Sequence, residues 1–394
     1  MLGMAIRIGQ RMGIHSEADC AKYGALEAEM RRRLWWSLKL FDARMGELAD
    51  FKTAMIAPIW DCNIPLNLND SDLRPEMKDT PSVHDTPSDA IFIVVRSMLG
   101  GFVRDAQFHL DSSSPDNLKD LPAERRKLSA LEKKIEDKYL KLCNPDIPLH
   151  FMTMWTLRTH LARYRLIDHY WKYSDTPEGQ TDAQRDIGVG CAVKMLTCDT
   201  KVMGSPTTKG FIWMARFYFP FPAYIHILED LKRRPTSKHA DEAWEAMSDN
   251  YQVRFDPGRA RVSPMFDIFC KFVIQAWEAR EAISISSGQP AIPPNLLSIV
   301  KEQIAKQVSP DQGEAIQQPT PHDTPMTVDS LPIPVPMPMG FGIHNFLDNT
   351  VSQDDLVGTG SPFSGQNLLN IDVNQLPWTT MDWSFGGQRP WWNA

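Results

Sequence analysis

Chemistry in this chain of 394 residues would have to come from its cysteines, histidines and clustered carboxylates, and their spacing supplies none of the usual arrangements. The six cysteines, Cys20, Cys62, Cys143, Cys191, Cys198 and Cys270, never come two residues apart as a zinc knuckle needs, and none clusters with histidine. They read as buried thiols of a reducing compartment. No pair of histidines shares a helix face, and no G-x-S-x-G is present. "GSPTTKG" at 204–210 lacks the order of a phosphate loop. Asp354-Asp355 and "NDSD" at 69–72 fall short of the aspartate-rich metal motifs of helical cyclases. The reading is that the chain is not an enzyme and holds no cofactor or metal of its own.

The densest functional-looking stretch is "EAEMRRRLWWSLKLFD", residues 27–42. Arg31, Arg32 and Arg33 beside Trp35 and Trp36 resemble a basic arm. Yet Glu27 precedes Arg31 by four and Glu29 precedes Arg33 by four, the favourable order for helical ion pairs. Leu26, Met30, Leu34, Leu38 and Phe41 recur at helical spacing and are expected to form the buried face. The arginines are therefore expected to pair and stack within a fold rather than to grip phosphates. "LPAERRKLSALEKKIEDKYLKL" invites a basic-zipper reading through Leu121, Leu128, Ile135 and Leu142. Its second heptad positions are Glu124, Leu131 and Lys138, so the seam fails, and an ordinary amphipathic helix is expected.

The elements carrying these stretches are helical throughout. Apolar periodicity predicts helices over 1–14 (closed by Gly13), 25–50, 87–109, 121–142, 150–173, 182–201, 209–231, 238–253 and 259–285, with a short one at 295–307. A helix pattern from the first residue suggests a chain cut from, or shortened relative to, a longer protein. The connector between Ala57 and Thr86 is expected to lie as irregular structure on the core. No period-two strands are evident, so the fold class is all-α. The most membrane-like run, from Phe211, contains Arg216, His226 and two prolines and reads as a core helix.

Composition changes near residue 285. The last 109 residues hold 14 of the 30 prolines, and from Pro310 onward nine acidic residues face a single arginine. Residues 1–285 thus read as a helical domain and 286–394 as a Pro-rich linker with an acidic, aromatic, disordered tail. In "NLLNIDVNQLPWTTMDWSFGG", Trp378, Trp383 and Phe385 sit among Asp372 and Asp382, the composition of an acidic activation segment. Residues 1–309 have 40 acidic and 41 basic residues and offer no net attraction to DNA phosphates.

Taken in order, several segments resemble the regulatory (middle homology) region of fungal-specific transcription factors that carry a binuclear zinc cluster. "MAIRIGQRMGIHSE" is similar to a family helix and its turn. "EAEMRRRLWWSLKLFD" resembles the family's signature through Glu29, Arg31, Arg32, Arg33, Trp35, Trp36 and Asp42. "WDCNIPLNLNDSDLRPEM" is similar to the next block, at Pro65, Asn67, Asn69, Asp70, Asp72 and Leu73. "YLKLCNPDIPLHFMTMWTLRTHLARYRL", "FPFPAYIHILEDLKRRP" and "ADEAWEAM" are similar to blocks of one subfamily. "ARMGELADFK" departs from the Gly-Arg-Pro that some members place after the signature Asp. The six spaced cysteines of the zinc cluster are absent, so the family's zinc and DNA contacts transfer to no residue here. The resemblance implies a nuclear regulator of transcription, often of a metabolic or secondary-metabolite gene cluster. Its partners would be the transcription machinery or another factor, in a homo- or heterodimer, with no membrane. A helical small-molecule sensor is the alternative.

Overall fold

The computed structural model describes residues 1–48, 60–105, 121–173, 179–255, 264–288 and 290–308. Among them are twelve α-helices and no strand: α1 Leu2–Arg11, α2 Glu17–Cys20, α3 Ala25–Leu48, α4 Ile91–Asp105, α5 Leu121–Lys138, α6 Pro148–Tyr173, α7 Asp182–Gly204, α8 Ile212–Arg216, α9 Phe221–Arg233, α10 Ala240–Arg254, α11 Pro264–Ser287 and α12 Asn295–Val308. The chain divides into two compact units. Among the described residues the first comprises Met1–Gln184 and Lys201–Ile212, the second Arg185–Thr200 and Trp213–Val308.

In the first unit, α4 carries Ile91, Val94, Val95 and Leu99 into a core completed by Leu128 and Ile135 of α5 and Leu157 and Leu161 of α6. α3 packs on α4 where Gly100 leaves room: a Cβ there would stand 3.0 Å from Leu40 and 3.5 Å from the Trp36 ring. α1 ends as expected at Gly13, whose φ of 70° is a left-handed conformation open to glycine. The heptad leucines of α5 divide: Leu128 and Ile135 are buried, whereas Leu142 lies beyond the helix in a 3-10 turn and is exposed.

In the second unit, α9 packs mainly on α11, and α12 lies against α10 and α11 through Leu296, Leu297 and Val300. Packed structure therefore continues past residue 285. The single helix expected over 209–231 is broken into a 3-10 turn, α8 and α9. Pro220 and Pro222 remove backbone donors there, and Pro222 instead occupies the first turn of α9, where no donor is needed. No helix among the described residues is long and apolar enough to cross a membrane.

Candidate functional site

α3 and the connector that follows it hold almost every residue of the signature. Arg31 donates to Glu27 at 2.8 Å and to the Met12 carbonyl at 2.9 Å, and its guanidinium lies 3.7 Å from the centre of the Tyr23 ring. It thus satisfies a carbonyl left open at the end of α1. Arg32 pairs with Glu17 of α2 and lies 3.6 Å from Glu29. Arg33 pairs with Glu29 at 3.1 Å and with Asp70 of the connector at 2.7 Å. The two i,i+4 pairs expected from spacing are both present, and all three guanidiniums are committed inside the unit.

Glu29 is the centre of this network. It is 1% exposed and accepts the Leu66 backbone N–H at 3.0 Å in addition to its arginine partners. Burial raises its carboxyl above the ordinary value, while Arg33, the Leu66 N–H and Arg32 oppose the rise. At Glu17, burial also acts upward, but the Arg32 guanidinium and the Asn63 N–H at 2.9 Å together hold it below the ordinary range.

The two tryptophans are buried. Trp35 packs its ring 5.6 Å from His15 and 5.9 Å from Trp60, edge-on to the latter. Trp36 meets Trp60 edge-on at 5.1 Å and donates its indole N–H to the Asn63 carbonyl at 2.8 Å. The buried face of α3 is accordingly Ala25, Ala28, Glu29, Arg31, Trp35, Trp36, Asp42 and Arg44. This corrects the expected face: Met30, Leu34 and Phe41 are exposed, and Leu26 and Leu38 only partly buried. Residue type marked the wrong side because paired charges, not leucines, line the core side. Asp42 is fully buried and favours the charge of Lys39, whose ammonium burial otherwise disfavours.

The connector folds as irregular structure against this helix. Pro65 and Leu68 are buried. Asn67, 1% exposed, uses its whole carboxamide: Nδ2 donates to the carbonyls of His84 and Thr86, each at 2.8 Å, and Oδ1 accepts the Ser88 N–H at 3.2 Å and hydroxyl at 2.7 Å. Asn69 accepts the Asp89 N–H at 3.2 Å, and its own N–H reaches Asp72 at 2.7 Å. Asp72 meets His84 at 2.6 Å, and that contact holds its carboxyl below the ordinary value. Asp70 holds Arg33. The signature is thus a set of mutual ties between α1, α2, α3 and the connector.

A second polar centre, in the other unit, has no motif that announces it. Asp199 of α7 receives Arg254 on both oxygens at 2.5 Å and Asn250 at 2.8 Å. Asn250 accepts the Tyr224 hydroxyl at 2.8 Å. Arg254 also reaches the carbonyls of Ala215, in the last turn of α8, and of Tyr218 just beyond it. These partners lie up to 55 residues apart, so only the fold brings them together.

Among the described residues no three His, Cys, Asp or Glu side chains gather as metal ligands would. No disulfide joins any of the six cysteines. Five are buried and Cys191 is half-buried, and burial pushes the Cys143 thiol up to about 11. Trp378, Asp382, Trp383 and Phe385 lie outside the described residues.

Likeness to known proteins adds to that geometry. The chain is 49% identical over 310 residues, 77% of its length, to the transcriptional regulator AacuB of Aspergillus aculeatus. The chain is homologous to fungal transcription regulators. It is 37% identical over 99% of its length to the transcriptional regulator nsrM of Aspergillus novofumigatus. It is 26% identical over 98% of its length to the aurofusarin cluster transcription factor aurR2 of Gibberella zeae. It spans about half of these relatives, 42%, 54% and 57% of their lengths respectively. No family model and no solved structure matches. The relatives are named as regulators and not as enzymes.

Proposed function

We propose that this chain is the regulatory part of a nuclear transcription regulator of a fungal secondary-metabolite gene cluster, acting through protein contacts. The observation that carries the reading is the 37% identity with nsrM across 99% of the chain. The cluster assignment draws on aurR2 and on the pyriculol/pyriculariol biosynthesis cluster transcription factor 1 of Pyricularia oryzae, which is 21% identical over 77% of the chain. The fate of the three arginines supports a protein-contact mechanism. Guanidiniums bound to Glu17, Glu27, Glu29 and Asp70 are poorly placed to neutralise phosphates. Sequence-specific DNA contact and zinc are assigned to no residue of this chain, and the part of 286–394 that follows α12, residues 309–394, supplies the activation segment.

The test is a reporter assay. Residues 309–394, the part of the tail beyond α12, fused to a heterologous DNA-binding domain should activate transcription, and alanine at Trp378, Trp383 and Phe385 should lower it severalfold. A silent fusion would remove the activation segment. Repression of the gene in its host should lower transcripts of a neighbouring biosynthetic cluster, and unchanged transcripts would refute the cluster assignment. The purified chain should carry no stoichiometric zinc by elemental analysis and bind duplex DNA without sequence preference.

A further inference from the structure

The fold brings two of the six cysteines together. Cys20 is the last residue of α2, and Cys62 lies in the connector, 42 residues further along the chain. Four hydrogen bonds join the segments that carry them. The His15 carbonyl accepts the Asp61 N–H at 3.3 Å and the Cys62 N–H at 3.2 Å. The Asp61 carboxylate accepts the Glu17 N–H at 2.9 Å, and the Glu17 carboxylate accepts the Asn63 N–H at 2.9 Å. Residues 15–17 are thereby tied to residues 61–63, and Cys20 and Cys62 share one buried place, 0% and 4% exposed. There each thiol lies within hydrogen-bonding range of the other. Each also has a carbonyl at longer range, Ile14 at 3.8 Å from Cys20 and Asn63 at 3.6 Å from Cys62.

We propose that Cys20 and Cys62 form a redox modification site, a dithiol that hydrogen peroxide converts into a disulfide locking α2 to the connector. The step balances within the pair. One sulfur attacks a peroxide oxygen: an S–O bond forms, the O–O bond breaks, and the thiol proton leaves in the first water. The second sulfur displaces the resulting hydroxyl: the S–S bond forms, the S–O bond breaks, and a second water carries away the other proton. Two electrons pass from the sulfurs to the peroxide. Burial raises both thiols, so thiolate is scarce and the closed pair reacts slowly. Arg31 and Arg32 pull the Cys20 thiol the other way. α2 is a single turn, Glu17–Cys20, and its local opening admits the oxidant. The modification therefore answers sustained oxidation, and a thiol reductant reverses it. Its product makes covalent the junction that Glu17, Asp61 and Asn63 already hold. Cross-linking a loop of that length should raise the melting temperature of the first unit by about 10 °C.

The test uses the purified full chain, first reduced, then freed of reductant and treated with hydrogen peroxide. Digestion without reductant and mass spectrometry should find the Cys20 peptide joined to the Cys62 peptide, two hydrogens lighter than their sum. Dithiothreitol should separate them. Cys143, also buried but beside Arg158 and Glu136, should stay a thiol. The melting temperature should rise by about 10 °C on oxidation and fall back on reduction. Cys62→Ala should lose both the linked peptide and the rise. Should that variant fail to fold, the peptide map of the parent chain decides alone. No linked peptide, a lasting sulfenic acid at either cysteine, or Cys143 oxidised as fast would overturn the site. A linked peptide with an unchanged or lowered melting temperature would overturn the lock. Linkage between isotopically distinct copies would place the bond between two molecules and likewise overturn it.

Discussion

Trp36→Ala should destabilise the first unit strongly, while Leu34→Ala, two residues away on the same helix, should leave it nearly intact. Trp36 is 2% exposed, packed edge-on to Trp60 and set over Gly100 and Gly101. A buried tryptophan covers 150–250 Å², which at about 25 cal/mol per Å² is roughly 4–6 kcal/mol as an upper bound. Measured tryptophan-to-alanine changes cost about 3–5 kcal/mol. The Asn63 carbonyl also loses its indole donor, worth about 1 kcal/mol. A total near 4 kcal/mol, at about 2–4 °C per kcal/mol for a unit of this size, lowers the melting temperature by roughly 8–16 °C. Leu34 is 49% exposed, so its truncation should cost no more than about 1 kcal/mol. Thermal melting followed by near-ultraviolet circular dichroism reads the buried tryptophans directly. Trp36→Phe should fall between the two, since a ring remains but the donor is lost. A Leu34→Ala loss as large as that of Trp36→Ala would refute the assignment of the buried face.

Other perturbations test the polar ties. Asn67→Asp sets an acceptor against the carbonyls of His84 and Thr86 and should cost about 3 kcal/mol or more, read as a lowered urea midpoint. Asp199→Asn withdraws the charge that meets Arg254 inside the second unit and should cost about 3–5 kcal/mol by the same measurement. The Asp72 carboxyl lies below its unfolded value, so its contribution is present above about pH 3.8 and lost as pH falls through the lower folded value. In Asp72→Asn, acid titration of stability should therefore show a shallower loss in that window, and an unchanged acid limb would count against the His84 contact.

Helical periodicity located nearly every element, and a glycine or proline marks several of the ends, Gly13 after α1 and prolines in the first turns of α5, α6, α9 and α11. Periodicity failed where partners rather than residue types decide burial. On α3 it ranked Leu34 above Glu29, yet Glu29 is enclosed because Arg32, Arg33 and the Leu66 N–H together compensate its charge. The i,i+4 glutamate–arginine spacing was visible and correctly marked the arginines as internal. Glu17 and Asp70 as their further partners were not, because those contacts cross 15 and 37 residues of chain. The Asp199–Asn250–Arg254 centre was invisible for the same reason.

The "RRRLWW" segment shows why a basic run is a poor indicator of nucleic-acid contact unless its neighbours are counted. Three guanidiniums on one helical turn would repel one another and attract phosphate if solvated. Here Glu27 and Glu29 precede them by one turn, and Glu17 and Asp70 approach from outside the helix. The net charge of that neighbourhood is close to zero. Its arginines bring order instead: one closes the end of α1, one draws in α2, and one fixes the connector. Loss of Arg33 should therefore loosen the Leu66–Asp72 connector. Hydrogen exchange at the Leu66 N–H should speed up in Arg33→Ala, because Glu29 would lose the cation that supports its charge in a nearly water-free site. An exchange rate at Leu66 equal to that of the parent chain would show that Glu29 holds the connector without Arg33, with Arg32 as its remaining cation.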